Sequence, residues 1–242
     1  MSLEIKNISV SVEGKLIIED LSLCIQKGEI HAIMGPNGSG KSTLSNALAG
    51  HPKYTIQKGE IMLDDEDLVP KKVDERARMG LFLSMQYSPE IPGVSITNFL
   101  RTAVSSLQGV KQHPVQFHKN LLSCMKDFGI EKNFANRYLN VGFSGGEKKK
   151  LEILQLAMMN PKYAILDETD SGLDVDALKI VCAGINNFAT QEKGLLLITH
   201  YNRILEYVEP NFVHILIDGK IVETGDKSLA VEIEKNGYKK YL

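Results

Sequence analysis

Residues 33–43 read IMGPNGSGKST, and this stretch decides the fold. Residues 29–34, EIHAIM, lead into it and predict a strand, and residues 43–50 predict a helix that stops at Gly50. Positions 35–42 fit G-x-x-x-x-G-K-[ST], in which glycines let the backbone turn sharply and approach a phosphate closely. A strand, such a loop and a helix in this order predict a nucleoside triphosphate site.

The loop supplies specific phosphate contacts. Backbone N–H groups at the start of the following helix point toward a bound anion, and the helix dipole adds to the attraction. Lys41 is expected to contact the β- and γ-phosphates, and the Ser42 hydroxyl to bind Mg²⁺. The alternative, a glycine-rich turn with an incidental lysine, is disfavoured by the position of the loop between a strand and a helix. The predicted nucleotide-binding residues are Gly35, Pro36, Asn37, Gly38, Ser39, Gly40, Lys41, Ser42 and Thr43.

Two carboxylates end an apolar strand at residues 163–168, which read YAILDE. Asp167 is expected to hold Mg²⁺ through its water shell, and Glu168 to orient an attacking water. Two acids at a strand end are commonly just solvated, but the loop upstream favours the catalytic interpretation. His200 ends the apolar run 194–199 in the same way and is expected to contact the γ-phosphate or the attacking water.

Gln86 ends an apolar strand where the helical region of the chain begins. From there it could reach Mg²⁺ or the attacking water, although a polar residue that merely ends a strand would be the simpler interpretation if Gln86 stood by itself. The predicted metal ligands are therefore Ser42, Gln86 and Asp167, and the predicted catalytic residues are Glu168, His200 and Gln86.

A second glycine motif lies in residues 142–150, GFSGGEKKK. Ser144, Gly145 and Gly146 open a predicted helix and so form a second anion-binding helix N-terminus. Two phosphate cradles far apart in one chain can serve one nucleotide when two copies meet head to tail. Lysines 148–150 oppose the helix dipole, and we expect them either to attract the partner's triphosphate or to be a solvated charge run.

The remaining pattern predicts an α/β protein. Residues 2–26 read as two strands with a turn, residues 95–128 have apolar residues at helical spacing, and residues 212–225 form a hairpin with an Asp218–Gly219 turn. Strands that alternate with helices favour a parallel sheet covered on both faces. We expect one domain over residues 1–242, in which 1–87 and 161–242 form the core and 88–160 an inserted helical subdomain.

Composition excludes several function classes. Lys and Arg number 28 against 30 Asp and Glu, so charge does not indicate a nucleic acid partner. No apolar run reaches the ~20 residues of a membrane helix, and the N-terminus lacks a targeting pattern, so we expect no direct membrane insertion and a cytoplasmic protein, or a stromal one if a targeting segment was removed. Cys24, Cys124 and Cys182 are far apart and are expected to be reduced and mostly buried.

Six motifs together resemble those of the ATP-binding cassette (ABC) ATPases, in the order of that family and across essentially the whole chain. They are the loop at 35–43, Gln86, FSGGE at 143–147, ILDE at 165–168, SGLD at 171–174, and His200. The resemblance implies an α/β P-loop NTPase fold: an ABC-type ATPase core with an antiparallel β subdomain and an inserted helical subdomain. It also implies Mg²⁺-dependent hydrolysis of ATP in a dimer that closes on ATP. The signature residues Ser144, Gly145, Gly146 and Glu147 would act in trans, and Asp174 would link the two sites.

Within that family, several segments resemble the ATPases of the SUF iron–sulfur cluster assembly machinery more than transporter ATPases. They are residues 31–44, 142–150, 166–178, 199–205 and 210–225. This resemblance implies SufB- and SufD-like scaffold partners and an ATP-dependent dimer of this subunit within the complex. The alternatives are the nucleotide-binding subunit of an ABC membrane transporter, which shares all of the ATP chemistry, and a non-catalytic nucleotide-controlled binding module, against which Glu168 argues.

Two positions depart from the family pattern. Relatives place an aromatic residue that stacks on adenine near the position of Val12, whereas this chain has no aromatic before Tyr54. Weak base recognition and poor selectivity for ATP over GTP are therefore expected. Glu147 replaces a common Gln and is expected to place a carboxylate near the partner's nucleotide, which would slow turnover or weaken dimerisation of the isolated subunit.

Overall fold

The computed structural model describes residues 1–84, 88–200 and 202–241. The strands are β1 (Ser2–Val12), β2 (Lys15–Gln26), β3 (Ile30–Met34), β4 (Tyr54–Leu63), β5 (Glu66–Asp67), β6 (Leu81–Ser84), β7 (Ile91–Ser95), β8 (Tyr138–Leu139), β9 (Tyr163–Asp167), β10 (Gly194–Ile198), β11 (Phe212–Ile217) and β12 (Lys220–Gly225). The α-helices are α1 (Lys41–Ala49), α2 (Val73–Met79), α3 (Ile96–Gln108), α4 (Pro114–Asp127), α5 (Gly145–Met159), α6 (Val175–Phe188), α7 (Asn202–Leu205) and α8 (Lys227–Asn236). Short 3-10 helices span Lys132–Asn136 and Lys239–Tyr241.

The chain forms two compact units. The first contains the described residues of 1–86, 162–169 and 189–242, and the second those of 87–161 and 170–188. The second unit thus includes residues 170–188, which the sequence analysis assigned to the core. The physical reason is that α6 packs on α5, where a Cβ added at Gly184 would lie 2.1 Å from the Ile153 side chain.

The first unit contains two sheets. An antiparallel sheet has the order β2-β1-β4-β5, and this is the antiparallel subdomain that the family resemblance implied. The other sheet has the order β12-β11-β3-β10-β9-β6, and its strands are parallel except for β12 at the edge. Strands β9 and β10 are buried along their whole length, as apolar runs without alternation predict for a sheet covered on both faces.

Parallel pairing brings three strand ends together. Ile198 at the end of β10 pairs with Ile33 near the end of β3 and with Asp167 at the end of β9. The segments that follow these strands, which carry the glycine loop, Glu168 and His200, therefore leave the same edge of the sheet.

The second unit is mainly helical. Ser95 caps α3 by accepting a hydrogen bond from the Asn98 N–H. The apolar face of α3 buries Leu100 and Val104.

Helices α2 and α7 and the strand pair β7–β8 were not predicted, because elements this short carry too few residues to establish a period.

The cysteines correct one expectation, since Cys24 is exposed, Cys124 half-buried and Cys182 buried, all three as free thiols. None of the helices in the described ranges combines the length and apolar character needed to span a bilayer.

Candidate nucleotide site

The loop between β3 and α1 is shaped by close backbone contacts. A Cβ at Gly35 would lie 2.2 Å from the Leu216 carbonyl oxygen and 2.7 Å from Ser39 Oγ, so a larger residue cannot fit without a shift. Gly40 has φ of 106°, a conformation that L side chains rarely adopt. The Gly219 N–H donates to the Ser39 carbonyl at 2.9 Å, so the β11–β12 turn supports the loop from outside.

Lys41 is held at the start of α1 by the loop itself. Its side chain is buried, and Nζ donates to the carbonyl oxygens of Gly35 and Pro36 at 2.9 Å each. Burial lowers the pKa of Lys41, while the carboxylates of Glu168 and Asp167 act in the opposite direction. The ammonium is therefore oriented within the loop and electrostatically coupled to both acids.

A cavity of about 360 Å³ opens at this edge of the sheet. Its lining residues are Ile17, Asn37, Gly38, Gly40, Lys41, Ser42, Thr43, Glu168 and His200. Eight of these nine were predicted site residues, and the structure brings them together from the loop, the end of β9 and the end of β10. The other predicted loop residues, Gly35, Pro36 and Ser39, shape the loop without lining the cavity.

Asp167 is a buried carboxylate with one satisfied oxygen. Oδ2 accepts a hydrogen bond from the Ser45 hydroxyl at 2.7 Å, whereas Oδ1 has no partner in the described part of the chain. Burial raises the pKa of Asp167, and the Ser45 and Ser42 hydroxyls oppose that rise. An orphaned buried carboxylate oxygen close to a serine hydroxyl fits Mg²⁺, which commonly takes one or two protein oxygens and completes its shell with water and phosphate.

Glu168 has an unusual backbone. Its φ is +51°, and its N–H donates to the Ile198 carbonyl at 2.8 Å. A left-handed non-glycine residue costs about 1–3 kcal/mol and persists where its surroundings impose it. The Oε1 atom lies 2.7 Å from Nε2 of His200, so the structure pairs the two predicted catalytic side chains. Gln86 lies outside the described residues.

The second glycine motif starts α5 with a reciprocal cap. Ser144 Oγ accepts from the Glu147 N–H at 3.2 Å, and Glu147 Oε2 accepts from the Ser144 N–H at 2.9 Å. The Glu147 carboxylate also accepts from Arg137. A Cβ at Gly145 would meet nothing within 4 Å, so the backbone at this helix end is open to a ligand.

One expectation about the neighbouring residues changes. Lys149 is buried and its Nζ donates to the Glu152 carboxylate at 3.0 and 3.2 Å, so it belongs to an internal ion pair and was wrongly included among the lysines that attract a triphosphate. Asp174 caps α6, since its Oδ1 accepts from the Ala177 N–H at 2.8 Å.

Two residues at the predicted site, Ser45 and Ile17, were missed. Ser45 follows Lys41 by four residues, so helical spacing could have placed it beside the loop. Ile17 lines the cavity from β2 and carried no local signal. Tyr54 is directly opposite Val12 in the β1–β4 pair, so the sheet supplies an aromatic beside the position where sequence reading found none.

Comparisons with known proteins agree with this geometry. The ABC transporter family model matches residues 18–171. A probable ABC transporter ATP-binding protein of Streptococcus pyogenes serotype M3 is 50% identical over 238 residues, which are 98% of this chain and 93% of that protein. A probable ATP-dependent transporter ycf16 of Trieres chinensis is 50% identical over 240 residues, 98% of this chain and 96% of that protein.

A solved structure supports the fold. An ATP-binding cassette dimer in a post-hydrolysis state bound to ADP and Pi superposes with a TM-score of 0.82 at 21% identity, covering 94% of this chain and 99% of that one. The family model matches more than half of this chain, and the two relatives are 50% identical to it over 98% of its length. This chain therefore belongs to the ABC transporter family of ATP-binding cassette ATPases.

Proposed function

We propose that this protein hydrolyses ATP to ADP and phosphate in an Mg²⁺-dependent reaction, at sites formed by a head-to-tail dimer. The observation that carries the proposal is the convergence of Lys41, Ser42, Glu168 and His200 on one cavity. Oδ1 of Asp167, which has no hydrogen-bond partner within the described ranges, would add a metal-ligating oxygen beside Glu168.

Each of these residues has a separate task. Lys41 and the loop N–H groups bind the phosphates, while Ser42 and Asp167, with Gln86, would hold Mg²⁺. The bound ion would neutralise charge that develops on the transferred phosphoryl group. Glu168 orients the attacking water, and His200 holds the Glu168 carboxylate at 2.7 Å. Gly38, Gly40 and their neighbours allow the backbone to reach the phosphate oxygens.

The signature motif is proposed to complete the site of a second copy. Ser144, Gly145 and Gly146 form a capped, open helix end, which is a suitable anion-binding group. The glycine loop and this motif lie in different compact units. Each nucleotide would be bound by the loop of one copy and the signature of the other. Asp174, at the start of α6, would connect the two sites.

Mixing two defective chains tests the head-to-tail arrangement. Lys41→Ala removes the loop contact, and Ser144→Arg blocks the signature, so neither variant alone should release phosphate above background. A mixed dimer contains one intact composite site, formed by the loop of one variant and the signature of the other. We expect the mixture to regain phosphate release. A mixture no more active than its separate components would contradict the head-to-tail site.

We further propose that the ATPase serves iron–sulfur cluster assembly, as the SufC-type subunit of a complex with SufB- and SufD-like scaffold proteins. The support is the likeness of the segments around the signature, the β9 end and the final hairpin to that subfamily. In this role, closure of two copies on ATP would rearrange the scaffold.

The second candidate is the nucleotide-binding subunit of a membrane transporter. The relatives from Streptococcus pyogenes and Trieres chinensis, a probable ABC transporter ATP-binding protein and a probable ATP-dependent transporter, favour it. The two candidates share the ATP chemistry, so the partner must distinguish them.

Affinity capture from native cells would decide between these partners. The soluble fraction and the detergent-solubilised membrane fraction would be captured separately and their proteins identified by mass spectrometry. Recovery of scaffold proteins in the soluble fraction is expected. Recovery with an integral membrane protein instead would overturn the assembly role and leave the ATPase chemistry intact.

A further inference from the structure

The guanidinium of Arg137 lies over two buried aromatic rings. Arg137 follows the 3-10 helix Lys132–Asn136, and its guanidinium lies 4.1 Å from the ring centroid of Phe143 and 5.4 Å from that of Phe134. The two rings are themselves 4.8 Å apart. The negative face of an aromatic ring attracts a guanidinium, whose N–H groups can still donate hydrogen bonds to a carboxylate.

These N–H groups face the carboxylate of Glu147. Nη1 donates to Oε1, and Nη2 donates a longer hydrogen bond to Oε2 at 3.4 Å. Oε2 also accepts from the Ser144 N–H at 2.9 Å. The pairing with Arg137, together with the Ser144 N–H, lowers the pKa of Glu147. The carboxylate is therefore ionised, and both of its oxygens are engaged.

The position of this charge matters for an anion. Glu147 lies in the first turn of α5, where the positive end of the helix dipole and the Ser144–Gly146 backbone would receive a triphosphate. An uncompensated carboxylate at the same helix end would repel that triphosphate, whereas a paired guanidinium cancels its charge.

We infer that Arg137 is a positioning residue for the nucleotide of the partner copy, because it neutralises Glu147 and holds the cap that shapes the signature backbone. This inference rests on the proposed head-to-tail site. It differs from the expectation that Glu147 slows turnover or weakens dimerisation, since the chain provides a compensating cation. The alternative is a purely structural role, in which Arg137 only packs against Phe134 and Phe143.

A double-mutant cycle of Arg137→Gln and Glu147→Gln tests this role in the full chain. All variants carry Glu168→Gln to prevent turnover, and the readout is the ATP concentration at half-maximal dimer formation, measured by light scattering. Arg137→Gln should raise that concentration about tenfold, which corresponds to about 1.4 kcal/mol. Adding Glu147→Gln to Arg137→Gln should restore it, because the repelling charge is then removed. A structural role for Arg137 would give no rescue.

Glu147→Gln alone provides the second variant, since it leaves the contacts of Arg137 with Phe134 and Phe143 intact. It should lower the half-maximal ATP concentration, because the guanidinium charge is then uncompensated. A rise, or an Arg137→Gln variant without effect or without rescue, overturns the inference.

Binding of a fluorescent ATP analogue to the monomer's own loop is the control. It should be equal in all variants. Failure of the Glu168→Gln parent to dimerise with ATP would refute the head-to-tail site, and the inference with it, whereas a dimerising parent isolates the role of Arg137.

Discussion

At the scale of single residues, the nucleotide site depends on backbone positions that tolerate one residue type. Gly35 approaches the Leu216 carbonyl so closely that a methyl group cannot be placed without moving the loop. At Glu168, by contrast, a residue with a side chain occupies a left-handed backbone conformation. A substitution at each position therefore tests a different property, loop geometry at Gly35 and chemistry at Glu168.

Gly35→Ala should destabilise the protein by about 1–3 kcal/mol, the usual cost of overpacking, and should weaken ATP binding as the loop shifts. Gly145→Ala is the matched comparison, because its Cβ would meet nothing within 4 Å. Urea denaturation of both variants checks the difference. Equal stability of Gly35→Ala and the wild-type chain would contradict the packing argument.

Glu168→Gln should reduce phosphate release by about 100-fold or more, the usual range for loss of a general base, while ATP still closes the dimer. The amide retains the size of the side chain and a hydrogen-bonding group for His200, so the fold should be unchanged. Single-turnover phosphate release and ATP-dependent dimerisation check this. Undiminished hydrolysis would remove Glu168 from the proposed mechanism.

At the scale of elements, the end of α1 depends on a buried cation from α2. Arg76 is buried, and Nη1 donates to the carbonyl oxygens of Ala47 and Leu48 at 2.8 and 2.7 Å. Its other nitrogens donate to the carbonyls of Lys71 and Val69. A cation at a helix C-terminus also interacts favourably with the helix dipole, so Arg76 joins α1 to the segment before α2.

Arg76→Met should destabilise the protein by about 3 kcal/mol or more, because several buried carbonyls lose a charged donor worth about 1.5–3 kcal/mol each. Arg78→Met on the same helix is the control, because Arg78 is exposed and paired only with Asp74 in the structure's described ion pairs. The free energy of unfolding of Arg78→Met should stay within about 0.5 kcal/mol of the wild-type value. Similar losses in urea denaturation of the two variants would refute the capping role.

At the scale of the whole molecule, a chain of hydrogen bonds through two buried histidines, His31 and His214, crosses three strands of the mainly parallel sheet. His31 Nε2 is 3.0 Å from the Glu29 carboxylate, His31 Nδ1 is 2.9 Å from His214 Nε2, and His214 Nδ1 is 2.8 Å from the Thr224 hydroxyl. These contacts are all satisfied when both imidazoles are neutral: His31 donates to Glu29, His214 to His31, and Thr224 to His214.

Acid should therefore weaken the folded state. Burial lowers the pKa of His214 to about 4, and burial also lowers that of His31 although Glu29 opposes it. The unfolded imidazole has a pKa near 6.5, so below that pH the unfolded state binds more protons and stability falls until the folded pKa is reached. From pH ~6.5 to ~5 we expect a loss of about 2 kcal/mol.

The measurement is the free energy of unfolding in urea across this pH range, for the wild-type chain and for His214→Gln. The variant should show a flatter pH dependence, because one titrating imidazole is absent. Identical slopes for the two chains would contradict the assignment of acid sensitivity to this pair.

Local pattern predicted much of the structure. The end of α1 at Gly50, the cap of α5 at Ser144 and the Asp218–Gly219 hairpin turn all follow from residues within a few positions of one another. Such features depend on φ preferences and on hydrogen bonds between near neighbours, which a single sequence contains. Lys149 shows the limit, since a charge run indicates solvent but not which of its members turns inward.

The sequence by itself determined the glycine loop, the strand–loop–helix around it and the acidic strand end, because these depend on local geometry and on periodicity. Tertiary structure alone decided that Ser45 donates to Asp167, that Tyr54 lies opposite Val12, and that Arg137 pairs with Glu147. Periodicity indicates which face of a strand or helix is buried, but not which residues of other elements pack against that face. That choice depends on strand order, register and packing, which are properties of the whole folded chain.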